Sequence, residues 1–291
     1  MPISSFDFFG EAKILEIITK KCFGEERALY GSRSVHLIDC AFDGAEDGES
    51  ALKESRDILV ERTYCNLRYP FWHDHGLTVR DCEMTEKCRA PLWYSETIVI
   101  EHTKMHGVKA LRECRDVTIR GCDIVSPEFG WFTSGLCIEG GTVSGEYFLL
   151  HAEDVCLRCV DFRGKYSFQY VKNAVIEDCV LDTKDALWHA QNVTVRNCTV
   201  KGEYLAWYSE NLTLIDCKIS GTQPFCYCEN LKLINCEMHD GDLAFEKSDV
   251  EAKITTHIIS IKNPRMGCIS APSVGELILD EKTNCRIEIP S

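Results

Sequence analysis

The sequence predicts an all-β protein, a single-stranded parallel β-helix of about twelve coils with terminal caps. Three observations predict it: a nineteen-residue repeat, a column of charges whose sign alternates from repeat to repeat, and glycine recurring at one place of the repeat. The stretch 192–248 shows the repeat directly, as "NVTVRNCTVKGEYLAWYSE", "NLTLIDCKISGTQPFCYCE" and "NLKLINCEMHDGDLAFEKS". Each piece opens on Asn, alternates apolar residues and reaches Cys at its seventh residue. A period of this length marks a solenoid, whose units cannot bury a hydrophobic face alone and must stack.

With the opening Asn as place 0, units start at Ser34, Asp57, Gly76, Thr97, Asp116, Gly135, Asp154, Asn173, Asn192, Asn211, Asn230 and Asp249. From Thr97 onward every spacing is nineteen, and small insertions lengthen two of the three earlier ones. Places 1 and 3 are apolar, as in Val193 and Val195, and alternate as a strand requires. Places 4 and 5 are polar, and places 6 and 8 are apolar again, the phasing of two short strands joined by a tight corner. A further apolar stretch covers places 13 to 16 and predicts a third strand. Glycine at place 10 (Gly107, Gly145, Gly164, Gly202, Gly221) marks the turn before it. Asn or Asp dominates place 0, where such residues tolerate left-handed backbone and stack in hydrogen-bonded ladders. A leucine-rich repeat shares L-x-L-x-x-C-x-L with these units, but the Leu it needs three residues earlier is Ala190, Ser209 or Cys228.

Coil-on-coil stacking puts equal places ~4.8 Å apart, where like charges repel. Place 4 reads Glu61, Arg80, Glu101, Arg120, Glu139, Arg158, Glu177, Arg196. A solvated charged face explains the charge, whereas only registry explains the alternation.

The whole chain, residues 1–291, reads as one β-helix domain. Residues 1–33 form an N-terminal cap that starts with a strand or short helix, residues 34–252 the regular coils, and residues 253–291 a C-terminal coil and cap. No basic, apolar leader and no apolar run near ~18 residues is present, so a soluble, cytoplasmic protein without membrane contact is expected. The eighteen cysteines fit a reducing compartment. Seven of them (Cys40, Cys82, Cys122, Cys179, Cys198, Cys217, Cys236) share place 6, where Cys acts as a small core hydrophobe. They are expected to be reduced and shielded, with Cys156 and Cys159 reacting first. A net charge of −14 argues against nucleic acid, acidic lipid and polyanionic pectin.

Few constellations carry chemistry. Cys156 and Cys159 form C-x-x-C beside Cys137, without the second pair a zinc site needs. His73 and His75 in "WHDHG" share a strand face with Asp74 opposite, and no third ligand is spaced to join them. No metal and no cofactor is expected. The third strand is richer. Place 14 is apolar or Gly and is expected to face inward. Place 15, with Trp72, Trp93, Trp131, Trp188 and Trp207, is then expected to face out. Two readings stay open for these aromatics: a bulky core, or a platform of faces suited to flat sugar rings. On the second reading the centre is the coil 173–191. Asp185 is the candidate acid–base group, His189 its proton partner, and Glu203 a second carboxylate one coil on, near the separations glycoside hydrolases use. Trp188 and Trp207 are the candidate stacking faces, with Tyr166, Tyr170, Tyr204 and Tyr208 as the wall.

"GEYLAWYSENLTLIDCKISGTQPFCYCENLKLINC", "TKDALWHAQNVTV" and "GESALKES" resemble an uncharacterised bacterial family, a domain of unknown function of the pectin-lyase-like class. The resemblance runs from about Phe23 to Ile278. It implies a right-handed parallel β-helix and no known activity. The polygalacturonase signatures N-T-D, D-D, G-H-G and R-I-K are missing, as is the R-x-P-x-x-R of pectate lyases. No catalytic residue is therefore carried across, and fold analogy alone names no reaction. Two functions remain: carbohydrate binding along the third strand, with glycoside hydrolase- or polysaccharide lyase-like processing if it is an enzyme, or a non-catalytic scaffold whose strand face meets a protein partner or a second copy.

Overall fold

Strand alternation sends places 1 and 3 to one side, and in the computed structural model that side is the interior: Val193 and Val195, like their equivalents in every regular coil, are buried. The structure describes residues 15–289. The chain falls into two compact units, Met1–Ser126 and Pro127–Ser291. Both are parallel β-solenoids, of about fourteen turns in all, and no described residue is helical.

In the first unit the strands Glu16–Thr19, Arg33–Ile38, Arg56–Glu61, His75–Arg80, Glu96–Glu101 and Arg115–Val125 pair in parallel, each with the next. In the second, Ser134–Glu146, Glu153–Arg158, Lys172–Glu177, Gln191–Arg196, Glu210–Ile215 and Leu231–His239 do the same. The strand Glu16–Thr19, within the expected N-terminal cap, pairs with the next coil; residues 1–14 of that cap, and residues 290–291 at the other end, lie outside the described residues. Beyond Lys253 the coils continue, as Asp249–Ile254 pairs with Met266–Ser270 and that strand with Asn284–Glu288. These coils lack the place-6 Cys and the even spacing that make the others visible in the sequence.

The registry is the one the charges predict. Glu101 pairs across the ladder with Arg80 and Arg120, and Glu177 with Arg158 and Arg196. Each glutamate takes one arginine per oxygen: Arg80 Nε at 2.7 Å and Arg120 Nη1 at 3.1 Å on Glu101, Arg158 Nε and Arg196 Nη1 both at 3.1 Å on Glu177. Place 0 forms the expected amide ladder in left-handed backbone. Asn173 donates to Asp154 at 3.1 Å, Asn192 to Asn173 at 3.1 Å, Asn211 to Asn192 at 3.1 Å and Asn230 to Asn211 at 2.7 Å.

The place-6 cysteines are all buried, and their sulfurs also have polar work at the corner. The Cys82 thiol donates to the carbonyl of Arg80 at 3.0 Å and accepts the amide of Thr63, one coil back, at 3.3 Å. Thr103 does the same with its hydroxyl, accepting the Cys82 amide at 3.2 Å. A thiol or a hydroxyl thus satisfies peptide groups that the bend takes out of the sheet. All eighteen cysteines are free. The expected order of reactivity needs correcting. Cys159 and Cys22 are exposed, whereas Cys156 is half-buried and its thiol is pushed up to about 11 by burial and by the Cys137 thiol beside it.

A second polar corner, which the repeat count misses, lies just before several unit starts, two places before at Ser55, Asp74 and Ser95 and one place before at Ser248. Asp74 Oδ1 accepts the Ser55 amide at 2.9 Å, Ser95 Oγ accepts the Asp74 amide at 3.0 Å, and Ser248 Oγ accepts the Cys228 amide at 2.8 Å. Glycine at place 10 answers a close approach. A Cβ on Gly164 would stand 1.9 Å from the Gly145 carbonyl oxygen, and one on Gly202 2.4 Å from that of Thr183.

The third side departs most from expectation. Apart from the short pair Leu92–Trp93 and Leu111–Arg112 and the late pair Ile258–Lys262 and Val274–Ile278, it is not β-strand. Its backbone alternates hand: Asp185, Leu187 and His189 have φ of 52°, 59° and 55°, and the same places repeat this in neighbouring coils. Alternate amides therefore point to opposite neighbours, Leu187 donating back to Ser167 at 2.9 Å and His189 forward to Trp207 at 2.9 Å. Each left-handed non-glycine residue costs ~1–2 kcal/mol, a cost that stacking and coil-to-coil hydrogen bonds offset.

Two expected outcomes test this account. Glu177→Arg stacks three arginines in register, so the melt should fall by about 1 kcal/mol of stability, partly restored by salt. A melt unchanged at low salt would mean that the column is out of register. Asp74 is 1 % exposed, its Oδ2 has no hydrogen-bond partner, and burial, opposed by the Ser55 amide, pushes its carboxyl up to about 8. An acid whose folded pKa is raised loses stability as pH rises from the ordinary aspartate value toward 8, and little beyond. Asp74→Asn should therefore leave the melt near pH 4 almost unchanged and stabilise the protein by several kcal/mol at pH 8. Equal shifts at both values would show that the carboxyl does not titrate in that window.

Candidate functional site

The left-handed residues at places 12, 14 and 16 decide which aromatics meet solvent. Place 14 turns inward as expected, with Phe168, Leu187, Ala206 and Phe225 buried. Place 15 is neither core nor open platform. Trp188 and Trp207 are half-buried, stacked at 5.4 Å and 7°. Their indole N–H groups donate to the carbonyls of Tyr204 at 2.6 Å and Gln223 at 2.8 Å. Gln169 does the same with its side-chain amide, at 3.0 Å to the Asp185 carbonyl. In the first unit Trp72 and Trp93 stack at 5.3 Å and 3°, donating to Ala90 at 2.5 Å and Lys109 at 2.8 Å, with Lys53 and Arg112 over the two outer faces. The place-15 tryptophans thus act as staples: their indoles tie one coil to the next, and the Trp72–Trp93 and Trp188–Trp207 pairs also cover each other's faces.

Place 16 is the exposed column. Phe132, His151, Tyr170, His189, Tyr208 and Tyr227 form one stack, with centroids 5.2, 4.6, 4.8, 5.0 and 4.8 Å apart and planes within 17° of parallel. Phe132, Tyr170 and Tyr208 are 47 %, 40 % and 46 % exposed. Their faces are spent on each other, so solvent meets edges, phenol hydroxyls and imidazole nitrogens.

Of the candidate catalytic groups, Asp185 is buried, and that burial raises its carboxyl above the usual range. Its coil lies between those of Tyr166 and Tyr204, as expected, with Tyr166 stacked on Tyr147 at 4.9 Å. His189 is brought among the tyrosines, flanked by Tyr170 and Tyr208, and no hydrogen bond joins it to Asp185. Glu203 is exposed and tied to Lys184 at 2.8 Å, and that ammonium also lies 5.5 Å from the Tyr204 ring centroid. The arrangement brings the aromatic residues together and leaves the acid, the imidazole and the second carboxylate in separate settings. No group of three His, Cys, Asp or Glu side chains among the described residues is placed to hold a metal. In "WHDHG", His73 stacks on Tyr94 at 5.0 Å and His75 pairs with Glu96 at 3.3 Å, while Asp74 points into the core.

Two open cavities adjoin this side of the second unit. One, of about 390 Å³, is lined by Lys184, Lys201, Glu203 and Asp240 among others. The other, of about 520 Å³, holds the end of the place-16 stack, with Tyr208, Tyr227, Lys247, Asn263, Arg265 and Lys282 in its wall. The sequence reading missed this second cavity because the coil after Asn230 carries a one-residue offset. Tyr227 donates to the Glu246 carbonyl as Tyr208 does to that of Cys226, and Phe245 stacks under Phe225 at 5.9 Å. Phe245 is therefore an inward residue, not a place-15 one, and Lys247 takes the next position of the exposed stack.

Fold and site together define a parallel β-solenoid with one aromatic-laddered side. The chain belongs to the family described as "Protein of unknown function (DUF3737)", whose model matches residues 16–289. A search of curated proteins finds no match. Among solved structures the chain is similar to the A-module of the mannuronan C-5 epimerase AlgE4 of Azotobacter vinelandii, at 10 % identity and TM-score 0.31, over 95 % of this chain and 90 % of that one. The AlgE6 A-module of the same organism gives 11 % identity and TM-score 0.33, over 94 % and 87 %. The periplasmic alginate epimerase AlgG gives 8 % and 0.27, over 95 % and 74 %.

The staple role of place 15 has a direct test. Trp188→Phe keeps a stacked ring and removes the N–H, so it should cost about 1 kcal/mol. Trp188→Ala removes both and should cost ~2–3 kcal/mol, below the ~3–5 of a fully buried aromatic. Melts indistinguishable from the parent in both variants would exclude the staple.

Proposed function

We propose that this protein binds a carbohydrate chain along the exposed His/Tyr column of residues 127–291. The observation that carries this reading is the continuous exposed stack from Phe132 to Tyr227. From His151 to Tyr227 its outward edges repeat a phenol hydroxyl or an imidazole nitrogen once per coil, ~4.8 Å apart. That interval is close to the advance per ring of an extended pyranose chain, and each such group can donate or accept a hydroxyl hydrogen bond. Apolar ring edges between the polar atoms suit the C–H faces of sugars. Tyr170, His189 and Tyr208 are the central contacts. Trp188 and Trp207 form the shelf beside them, Tyr166 and Tyr204 the far wall, and Asp185 and Glu203 are polar groups at its margin.

Binding rather than hydrolysis is the reading the geometry favours. Asp185 and His189 are not hydrogen-bonded to each other and Glu203 is engaged by Lys184, so these groups are not assembled as an acid–base set. A stack already locked by its own neighbours has little side-chain entropy left to lose on binding, which favours recognition.

A glycan array beside sedimentation tests the proposal. The parent should bind a linear glycan as a monomer, and Tyr170→Ala with Tyr208→Ala should weaken binding at least tenfold while each loses only ~1 kcal/mol of stability. No glycan bound, together with a concentration-dependent dimer that shields Tyr208, would replace this reading with that of a self-associating scaffold.

A further inference from the structure

The exposed aromatic stack ends at Tyr227, and the position that would hold the next ring holds Lys247. Its ammonium lies 5.7 Å from the Tyr227 centroid. This end opens into the cavity of about 520 Å³. We propose that this cavity is a binding site for a sugar unit carrying one negative charge, at the end of the carbohydrate-binding column on which the proposal rests.

The charges in the wall support one anion and no more. Arg265 is taken, since Asp249 meets its guanidinium through two hydrogen bonds and Glu229 lies 3.8 Å away. Asp280 accepts the Lys282 amide at 2.9 Å and the Thr283 hydroxyl at 3.3 Å, bonds that leave its negative charge in the wall. Lys247 and Lys282 remain. Among the described residues neither ammonium has a carboxylate within ion-pair distance, and Lys247 rests only on the Tyr227 ring. Two lysines that line one cavity without an ion pair of their own, against the charges of Glu229 and Asp280, favour a single anion there, through charge-assisted hydrogen bonds. Their positions leave a ring-sized ligand beside Tyr208 and Tyr227, with its charge toward the lysines. Asn263 lines the same wall, with its Oδ1 buried and without a hydrogen-bond partner.

The rest of the molecule limits the charge. With a net charge of −14, a densely charged polymer is repelled. Glu229 and Asp280 in the same wall repel a second anionic group. The fitting ligand is therefore a single anionic sugar, or a neutral chain bearing one such unit at its end. A carboxylate, a sulfate and a phosphate share this chemistry.

Titration calorimetry with glucuronate, glucose 6-sulfate, glucose 6-phosphate and glucose tests the inference on the full chain. At least one anionic sugar should bind tenfold or more tightly than glucose, and the three anions show which group is preferred. Raising the salt should weaken that preference. Lys282→Gln and Lys247→Gln, each with the parent's melt, should abolish it and leave glycan-array binding along the column intact. Glucose binding as tightly as every anion, or a preference that survives both substitutions, overturns the anionic site and leaves the carbohydrate reading standing. Binding of none of the four, with array binding retained, also overturns the site alone; loss of the array signal as well overturns both.

Discussion

Everything in this molecule follows from the ~4.8 Å that separates equal places on neighbouring coils. At that distance a side chain's chief neighbour is its own counterpart one coil away, so each column must be self-compatible. Asparagine qualifies because its amide donates on one side and accepts on the other, as the run from Asp154 to Asn230 does. Charge qualifies only by alternating, and Glu101 and Glu177 each sit between two arginines. Aromatic rings qualify by stacking. Glycine is required where two backbones come closer than a Cβ allows, as at Gly164 and Gly202.

The second constraint lies at the corners, where peptide groups leave the sheet and remain inside the protein. An unpaired buried peptide group costs ~1–3 kcal/mol, so small polar side chains are set there in columns. This gives the cysteines their place: Cys82, Cys179 and Cys198 are small enough for the core and still accept a neighbouring amide or donate to a carbonyl. The tryptophans solve the same problem on the third side, where the Trp188 and Trp207 indoles reach carbonyls on the next coil. Aspartate at position 74 solves it only in part, since one carboxylate oxygen is satisfied and the other is buried without a partner.

Strand columns were legible in the sequence because alternation and stacking both leave marks in residue type: Val and Leu inward, Asn at the turn, Glu against Arg. The third side was not, because residue type does not record backbone hand. Tryptophan at place 15 fits an inward-facing, an outward-facing and an edge-on position alike, and only the left-handed residues at Asp185, Leu187 and His189 select the last. The offset after Asn230 hid for a different reason. One residue is gained before Phe245 and recovered before Val250, so Leu231 still pairs with Val250 and the count of nineteen is unbroken. Counting alone therefore puts Phe245 on the surface and overlooks Lys247.

A stacked column also decides where recognition can occur. Inside the stack every ring face is covered, so Tyr170 and His189 can offer a ligand only their edges. Edges bear polar atoms at regular intervals and suit a repeating, hydroxyl-rich partner. A face is open only where the stack stops, and there the neighbouring residue sets the chemistry. In the first unit Lys53 and Arg112 close the two ends of the Trp72–Trp93 pair. At Tyr227 the closing residue is Lys247, and beside it lies a cavity rather than another coil's ring. The two proposals, a neutral chain along the column and charge discrimination at its end, are compatible because they fall on parts of one column that stacking makes physically different.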